Sequence, residues 1–214
     1  QRNNKGQILI DPTNGFPLTT GSTFLLAGDR NPDFTLGAIN SFRLKNWRMS
    51  MLWDLKMGGD IYNGTNHYLT RAGKSPLTED RFTARVVQGV LRDGKENTDN
   101  PTPNNIVIVP AYNDAYYTTL PDAEFIEKDV NWLRLRDLSI SYTMPTTRLR
   151  FIRGLKSLNF FATGNDLLLF TNYTGPDPSV NGVTAGSRGV GGFGFDFGTL
   201  ATPVSVNFGL RAGF

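Results

Sequence analysis

"FTLGAINSFRLKNWRMSMLWDLKMGGDIY", residues 34–62, is written two residues at a time. From about Phe34 to Leu44, one face carries Phe34, Leu36, Ala38, Phe42 and Leu44, with Asn40 as an exception. The other carries Thr35, Gly37, Ser41 and Arg43, with Ile39 among them. From Trp47 to about Tyr62 the apolar face is Trp47, Met49, Met51, Trp53, Leu55 and Met57, opposed by Arg48, Ser50, Asp54, Lys56 and Gly58, and broken only by Leu52. Strict alternation is the signature of a β-strand, whose successive side chains point to opposite faces. Lys45-Asn46 between the runs reads as a two-residue hairpin, with Asn supplying the positive φ.

The same period recurs three more times, at about 132–144, 157–170 and 203–214. In the third strand Leu138, Ile140, Tyr142 and Met144 oppose Asp137, Ser139, Ser141 and Thr143. The closing strand sets Val204, Val206, Phe208, Leu210, Ala212 and Phe214 against Ser205, Asn207, Gly209, Arg211 and Gly213. Helical period is nearly absent. The expected class is all-β and antiparallel.

Connections alternate short and long. Two residues join the first pair of strands, and Pro145–Lys156 joins the third to the fourth. Residues 63–131 and 171–202 are long and rich in Pro, Gly, Asn and Asp, and residues 1–33 precede the first strand. Compact soluble domains rarely carry such loops, whereas outer-membrane barrels have short turns on one side and long loops on the other. The apolar face of the second strand spans what a tilted membrane strand needs. Trp47, Tyr142 and Phe214 gather at the turn-side ends, where an aromatic girdle belongs. A secreted β-sandwich binding module, which also buries one face per strand, is the competing architecture. Five strands would leave two edges unpaired in lipid, so the expectation is part of a larger transmembrane β-barrel. The polar opening, Gln1–Gly6, reads as the middle of a longer chain.

Composition narrows the function classes. Cysteine is absent, which removes disulfides, thiol catalysis and Cys-based zinc sites. The net charge of +3 comes without a dense basic run, so nucleic acid is not an expected partner. His67 is the only histidine and lies in a loop, away from any Ser/Asp or metal-ligand pattern. "GSRGVGGFGFDFG", residues 186–198, is Gly-rich but has no Walker lysine. Asp177 and Asp196 could hold a loop calcium, although no EF-hand spacing is present. No cofactor and no enzyme activity are expected.

Five blocks carry a family resemblance: "GDRNPDFTLGAIN" (28–40), "WDLKMGGDIYN" (53–63), "VNWLRLRDLSISYTMP" (130–145), "SLNFFATGNDLLLFTNYTGPDP" (157–178) and "DFGTLATPVSVNFGLRAGF" (196–214). They resemble the C-terminal signature blocks of SusC/RagA-type TonB-dependent outer-membrane transporters, in the family's order. The resemblance implies that these are the last five strands of a 22-stranded barrel plugged by an N-terminal domain. It also implies import of oligosaccharides or peptides, energised by the TonB complex through an upstream segment, under a SusD-like surface lipoprotein lid. The location implied is the outer membrane of a Gram-negative bacterium, in contact with lipid and lipopolysaccharide, with the C-terminus periplasmic. A barrel that transports nothing and serves as a scaffold in a larger outer-membrane complex is the alternative.

Site residues follow from parity and resemblance. Arg43, Arg48, Asp54, Lys56, Asp137 and Arg211 are expected to face the lumen or plug, with Arg43 opposite Arg48. Arg134 and Arg136 share parity with the lipid face, near the outer rim. Tyr112, Tyr116 and Tyr117 in the first long loop are candidates for substrate or lid contact. Asn207, Gly209, Ala212 and Phe214 resemble the family's outer-membrane assembly signal; Phe214 would also anchor its strand end at the interface.

Overall fold

The computed structural model describes residues 1–21, 25–113, 115–150, 152, 154–179, 181–182 and 192–214. The chain divides into two compact units, Gln1–Gly28 with Tyr62–Ile126, and Asp29–Ile61 with Glu127–Phe214.

The second unit is built on one antiparallel sheet of five strands: β1 (Phe34–Leu44), β2 (Trp47–Met57), β3 (Trp132–Thr143), β4 (Ser157–Thr171) and β5 (Ser205–Gly213). Each strand pairs with the next in sequence, so the sheet is a simple meander with β1 and β5 at its edges. Register partners share a face, which fixes the two surfaces. One rung of the apolar face is Leu44, Trp47, Tyr142, Phe160 and Leu210; the next is Phe42, Met49, Ile140, Ala162 and Phe208. On the polar face, Arg43, Arg48, Ser141, Phe161 and Gly209 form one rung, and Ser41, Ser50, Ser139, Thr163 and Asn207 the next. The apolar exceptions of β1 and β2, Ile39 and Leu52, stand directly opposite each other on that polar face.

Three local departures from the sequence reading have physical causes. The strand expected to run to Tyr62 stops at Met57 because Gly58 (φ 76°) and Gly59 (φ 88°) adopt left-handed backbone. A Cβ at Gly58 would strike the Asp33 carboxylate, and one at Gly59 would sit 2.8 Å from the Arg30 carbonyl oxygen. Ile61–Asn63 is a separate short strand. In the β1–β2 turn the left-handed residue is Lys45 (φ 52°), not Asn46. Asn46 is tied by its carbonyl, which accepts the Thr143 N–H at 2.9 Å, so the preceding residue takes the strained conformation. The third departure is a bulge. Leu52 pairs with Asp137 and Trp53 with Leu135, leaving Arg136 as the extra residue.

That bulge reverses parity in the upper part of β3. Arg134 pairs with Asp54 and Trp132 with Lys56, so both lie on the polar face, whereas simple alternation puts Arg134 on the apolar one. The reading of Arg134 and Arg136 as lipid-side residues is therefore corrected: Arg134 is buried, and Arg136 reaches Asp54.

Among the described residues of this unit, no second layer covers the sheet. Leu44 is 71% exposed, Phe208 80% and Phe34 52%. A sandwich buries its alternating face against another sheet; here the apolar face stays at least half-open along the five strands, with Leu135 the buried exception. The buried apolar cluster of this unit lies beyond the loop ends of the strands and consists of Ile61, Val130 and Tyr173.

The first unit has its own structure, where the sequence suggested plain loop. Leu9–Ile10 runs parallel to Val90–Leu91, and Arg85–Val86 antiparallel to Val107–Ile108. Helix α1 (Gly64–Arg71) is capped by Asn63, whose side chain accepts the Asn66 N–H. Ile10, Val90, Ile108 and Phe125 are buried. Long loops of this kind persist by packing on themselves.

Candidate functional site

The polar face of the sheet and its loop-side rim gather most of the charged candidates. At the turn end Arg43 and Arg48 are direct register partners, and Arg211 lies one rung further toward the turns, opposite Asn159. All three are exposed. Asn159 donates to Thr143 Oγ1 at 2.9 Å across the strands. The middle of the face is small and polar. Asp137 stands between Leu52 and Asn165.

Toward the loop end the charges pair. Arg136 donates through Nε (3.1 Å) and Nη2 (2.7 Å) to Asp54 Oδ2, with both side chains partly exposed. Arg134 is 2% exposed and bridges Asp166 (3.2 Å), Asp177 (2.5 Å) and Ser179 Oγ (3.2 Å). Asp166 belongs to the irregularity between Asn165 and Leu168 and has φ 52°. Asp177 is the hub: it also accepts the N–H groups of Ser179 and Thr202. Burial alone would raise its pKa, but the Ser179 hydroxyl and N–H, the Arg134 guanidinium and the Thr202 N–H together hold it far below the usual carboxylate range. Lys56 is buried opposite Trp132 and has no ion-pair partner among the described residues.

A second knot ties the segments above the strands. Asn131 Oδ1 accepts the Gly58 N–H (2.7 Å), Asn172 Oδ1 accepts the Asn131 N–H (2.7 Å), and Asp60 binds Lys128 at 2.8 Å. Tyr173 donates to Asp196, a fully buried carboxylate that also accepts the Thr199 N–H. Burial and that carboxylate push the Tyr173 hydroxyl well above its ordinary pKa. Asp177 and Asp196, the candidate calcium ligands, are thus each engaged by protein donors. No group of three or more acidic or histidine side chains placed to hold a metal occurs among the described residues. Gly186–Gly191 of the Gly-rich stretch lie outside the described residues.

In the first unit, Tyr116 packs edge-on between Phe16 (5.6 Å) and Tyr117 (5.0 Å). Tyr112 is 81% exposed and meets the edge of Phe82. Tyr112 therefore offers a free aromatic face; Tyr116 and Tyr117 spend theirs on packing. His67 is buried, stacked on Phe125 at 4.2 Å, and its Nδ1 shares a hydrogen bond with the Tyr62 hydroxyl at 2.7 Å. Burial lowers its pKa, opposed by Asp122. The arrangement has no nucleophile and reads as packing.

Of the four closing-strand residues, Asn207 and Gly209 lie on the polar face, opposite Thr163 and Phe161, and Ala212 lies on the apolar face opposite Leu158. A Cβ at Gly209 would run into the Phe161 ring, so the glycine makes room for that ring. Phe214 is exposed.

Sequence reasoning missed the Arg134–Asp177 hub. Its signal is present: the apolar spacing Leu133, Leu135, Leu138, Ile140 contains one step of three, the mark of an inserted residue.

The geometry is that of a sheet with one open apolar face, one polar face and a pinned rim. Proteins of known sequence and structure agree with it. TonB-dependent receptor P3 of Formosa agariphila is 28% identical over 210 residues, covering 98% of this chain and 19% of the receptor. TonB-dependent receptor P26 of the same organism is 27% identical over 207 residues, 94% of this chain and 19% of its own length. The chain thus spans about a fifth of the length of the curated relatives it matches. Among solved structures, the RagAB peptide transporter matches with a TM-score of 0.56 at 17% identity, over 86% of this chain and 17% of the other. The RagAB peptide importer in its closed-closed state matches with a TM-score of 0.61 at 15% identity, over all of this chain and 20% of the other. No protein-family model matches the chain. The resemblance read from the five sequence blocks therefore holds: the chain is similar to TonB-dependent receptors along nearly all of its length, and its fold is that of a portion of the RagAB chain.

Proposed function

We propose that this chain forms part of the wall of an outer-membrane transporter that imports oligosaccharides or peptides. The observation that carries the reading is the apolar face, continuous over five strands and open apart from Leu135, behind a polar face. Eleven residues at about 3.3 Å each span roughly 36 Å, which at about 45° tilt matches an apolar band of about 25 Å. Lipid then replaces the missing second layer. The edges of β1 and β5 pair with further strands of a closed barrel of 22, since unpaired backbone groups cannot face hydrocarbon. The turns and the C-terminus lie on the periplasmic side and the long loops outside, where Tyr112 meets substrate or a SusD-like lipoprotein lid. Lipopolysaccharide surrounds the outer rim. Transport is by passage past a plug, driven by the TonB complex, and involves no covalent chemistry. The names of the relatives, TonB-dependent receptors and a peptide transporter, support this reading.

Deleting the gene for the full-length protein should abolish growth on at least one oligosaccharide or peptide source supplied as sole nutrient. The full-length protein should restore that growth in cells with the TonB complex and fail to do so in cells without it. Unimpaired growth on every such source would favour the scaffold reading instead.

A further inference from the structure

We propose that His67 is an acid-sensitive latch: its neutral ring holds the turn Asp122–Phe125 against helix α1, and protonation releases that turn. Every residue involved lies in the first unit, so the latch does not depend on the sheet lying in a membrane. His67 is the chain's only histidine, and histidine is the side chain whose ordinary titration falls between pH 5 and 8. The imidazole lies flat on the buried Phe125 ring, with centroids 4.2 Å and planes 9° apart. Nδ1 shares a hydrogen bond with the Tyr62 hydroxyl at 2.7 Å, and Asp122 Oδ1 lies 3.4 Å from both that nitrogen and that hydroxyl. One ring thus joins α1 to the turn.

The bonding fixes where the ring carries its hydrogen. Tyr62 donates to Asp122, so its oxygen can receive the Nδ1 hydrogen. Nε2 is then a bare acceptor at a buried position, with no hydrogen-bond partner. A proton added there becomes a buried N–H without an acceptor, which costs its full desolvation.

Charges around the ring act in both directions. Burial is the largest influence and disfavours the imidazolium; Asp122 favours it, and Arg71, four residues along α1, disfavours it. Asp122 is exposed, so water weakens its attraction. The Phe125 face also suits a cation, but neither group gives Nε2 an acceptor. Tyr62 stays protonated throughout, because burial and Asp122 push its hydroxyl up to about 12. The turn Pro76–Thr78, also packed on α1, carries no titratable side chain. The sign follows. His67 has a lowered pKa in the folded unit, so its stabilisation of the docked turn is complete above the ordinary histidine value of 6.5. It is lost as pH falls from there through the lowered value.

The test is amide hydrogen exchange of the full-length protein at about pH 8 and about pH 5, each rate divided by the intrinsic rate at that pH. Ordinary carboxylates remain largely ionised at about pH 5, so histidine is the group that changes. Peptides covering 62–75 and 120–127 should lose protection about 5- to 150-fold in acid, the scale of an unsatisfied buried donor. Residues 89–104, in the same unit and without a histidine, should keep theirs. His67→Phe retains a flat ring for the stack and removes the titration, so protection should become independent of pH. If that variant does not fold, Asp122→Asn takes its place: the acid loss should deepen, because the charge that favours the imidazolium is gone. Protection unchanged or raised in acid, or an equal loss across 89–104, would overturn the latch. So would a loss that survives His67→Phe, or one that Asp122→Asn fails to deepen.

Discussion

Replacing Arg134 with methionine should release Asp177, Ser179 and Thr202 from their tie to the sheet. Arg134 is buried and holds two carboxylates, Asp166, which is half-buried, and Asp177, only 4% exposed. Methionine keeps most of the volume and removes the charge, leaving both carboxylates without their cation. Breaking a buried pair from one side costs about 3–5 kcal/mol, because the remaining charge stays desolvated. The readout is hydrogen exchange at the Ser179 and Thr202 amides, both of which donate to Asp177. Their exchange should speed up by about two to three orders of magnitude, on the arithmetic of about 1.4 kcal/mol per tenfold. Arg136→Met is the internal control. Its pair with Asp54 is partly exposed, and exposed pairs contribute about 0–1 kcal/mol. Equal effects from the two substitutions would contradict the assignment of Arg134 as the hub.

Gly209→Val should block assembly of the folded protein. The Phe161 ring lies against the Gly209 backbone where a side chain would stand, so valine forces the ring off its position. Overpacking of this kind costs about 1–3 kcal/mol, and it falls in the middle of the β4–β5 register. The accompanying Phe161→Ala substitution decides the cause. If the glycine is required to admit the ring, the double variant should recover folded protein, a coupling of about 1–3 kcal/mol in the double-mutant cycle. If Gly209 is instead read as part of an assembly signal, truncating Phe161 will restore nothing. The band of folded protein on unheated gels measures both.

Much of this fold is legible in the sequence because a one-sided strand cannot hide its period. Phe34–Leu44 and Trp47–Met57 alternate with only Ile39, Asn40 and Leu52 out of place, and their register follows from the two-residue turn between them. What alternation cannot convey is a change of phase. Arg134 and Arg136 have the parity of the apolar side only if the count runs through the bulge; the three-residue step from Leu135 to Leu138 shows where the count should restart. The end of β2 at Gly58 depends on the approach of Asp33 and Arg30, which lie before β1 in the chain, and no local pattern encodes that approach. The opposition of Arg43 and Arg48 was open to parity reasoning, since both lie beside the turn. The long loops gave little signal, because two-residue strands such as Leu9–Ile10 and Val90–Leu91 are too short for any period to register.

The central claim is that one face of this sheet meets lipid and the other does not. The chain contains no cysteine, so cysteines can be introduced singly into the full-length protein, labelled with a fluorophore and quenched from either phase. The scan should cover positions 47 to 57 and 133 to 141. The account predicts that a lipid-borne quencher reaches 47, 49, 51, 53, 55 and 57, and that a water-borne quencher reaches the positions between them. On β3 it predicts lipid contact at 133 and again at 138 and 140, with Leu135 shielded and the phase shifting across Arg136. Quenching from water at both faces, or a β3 pattern that keeps one unbroken period of two, would contradict it.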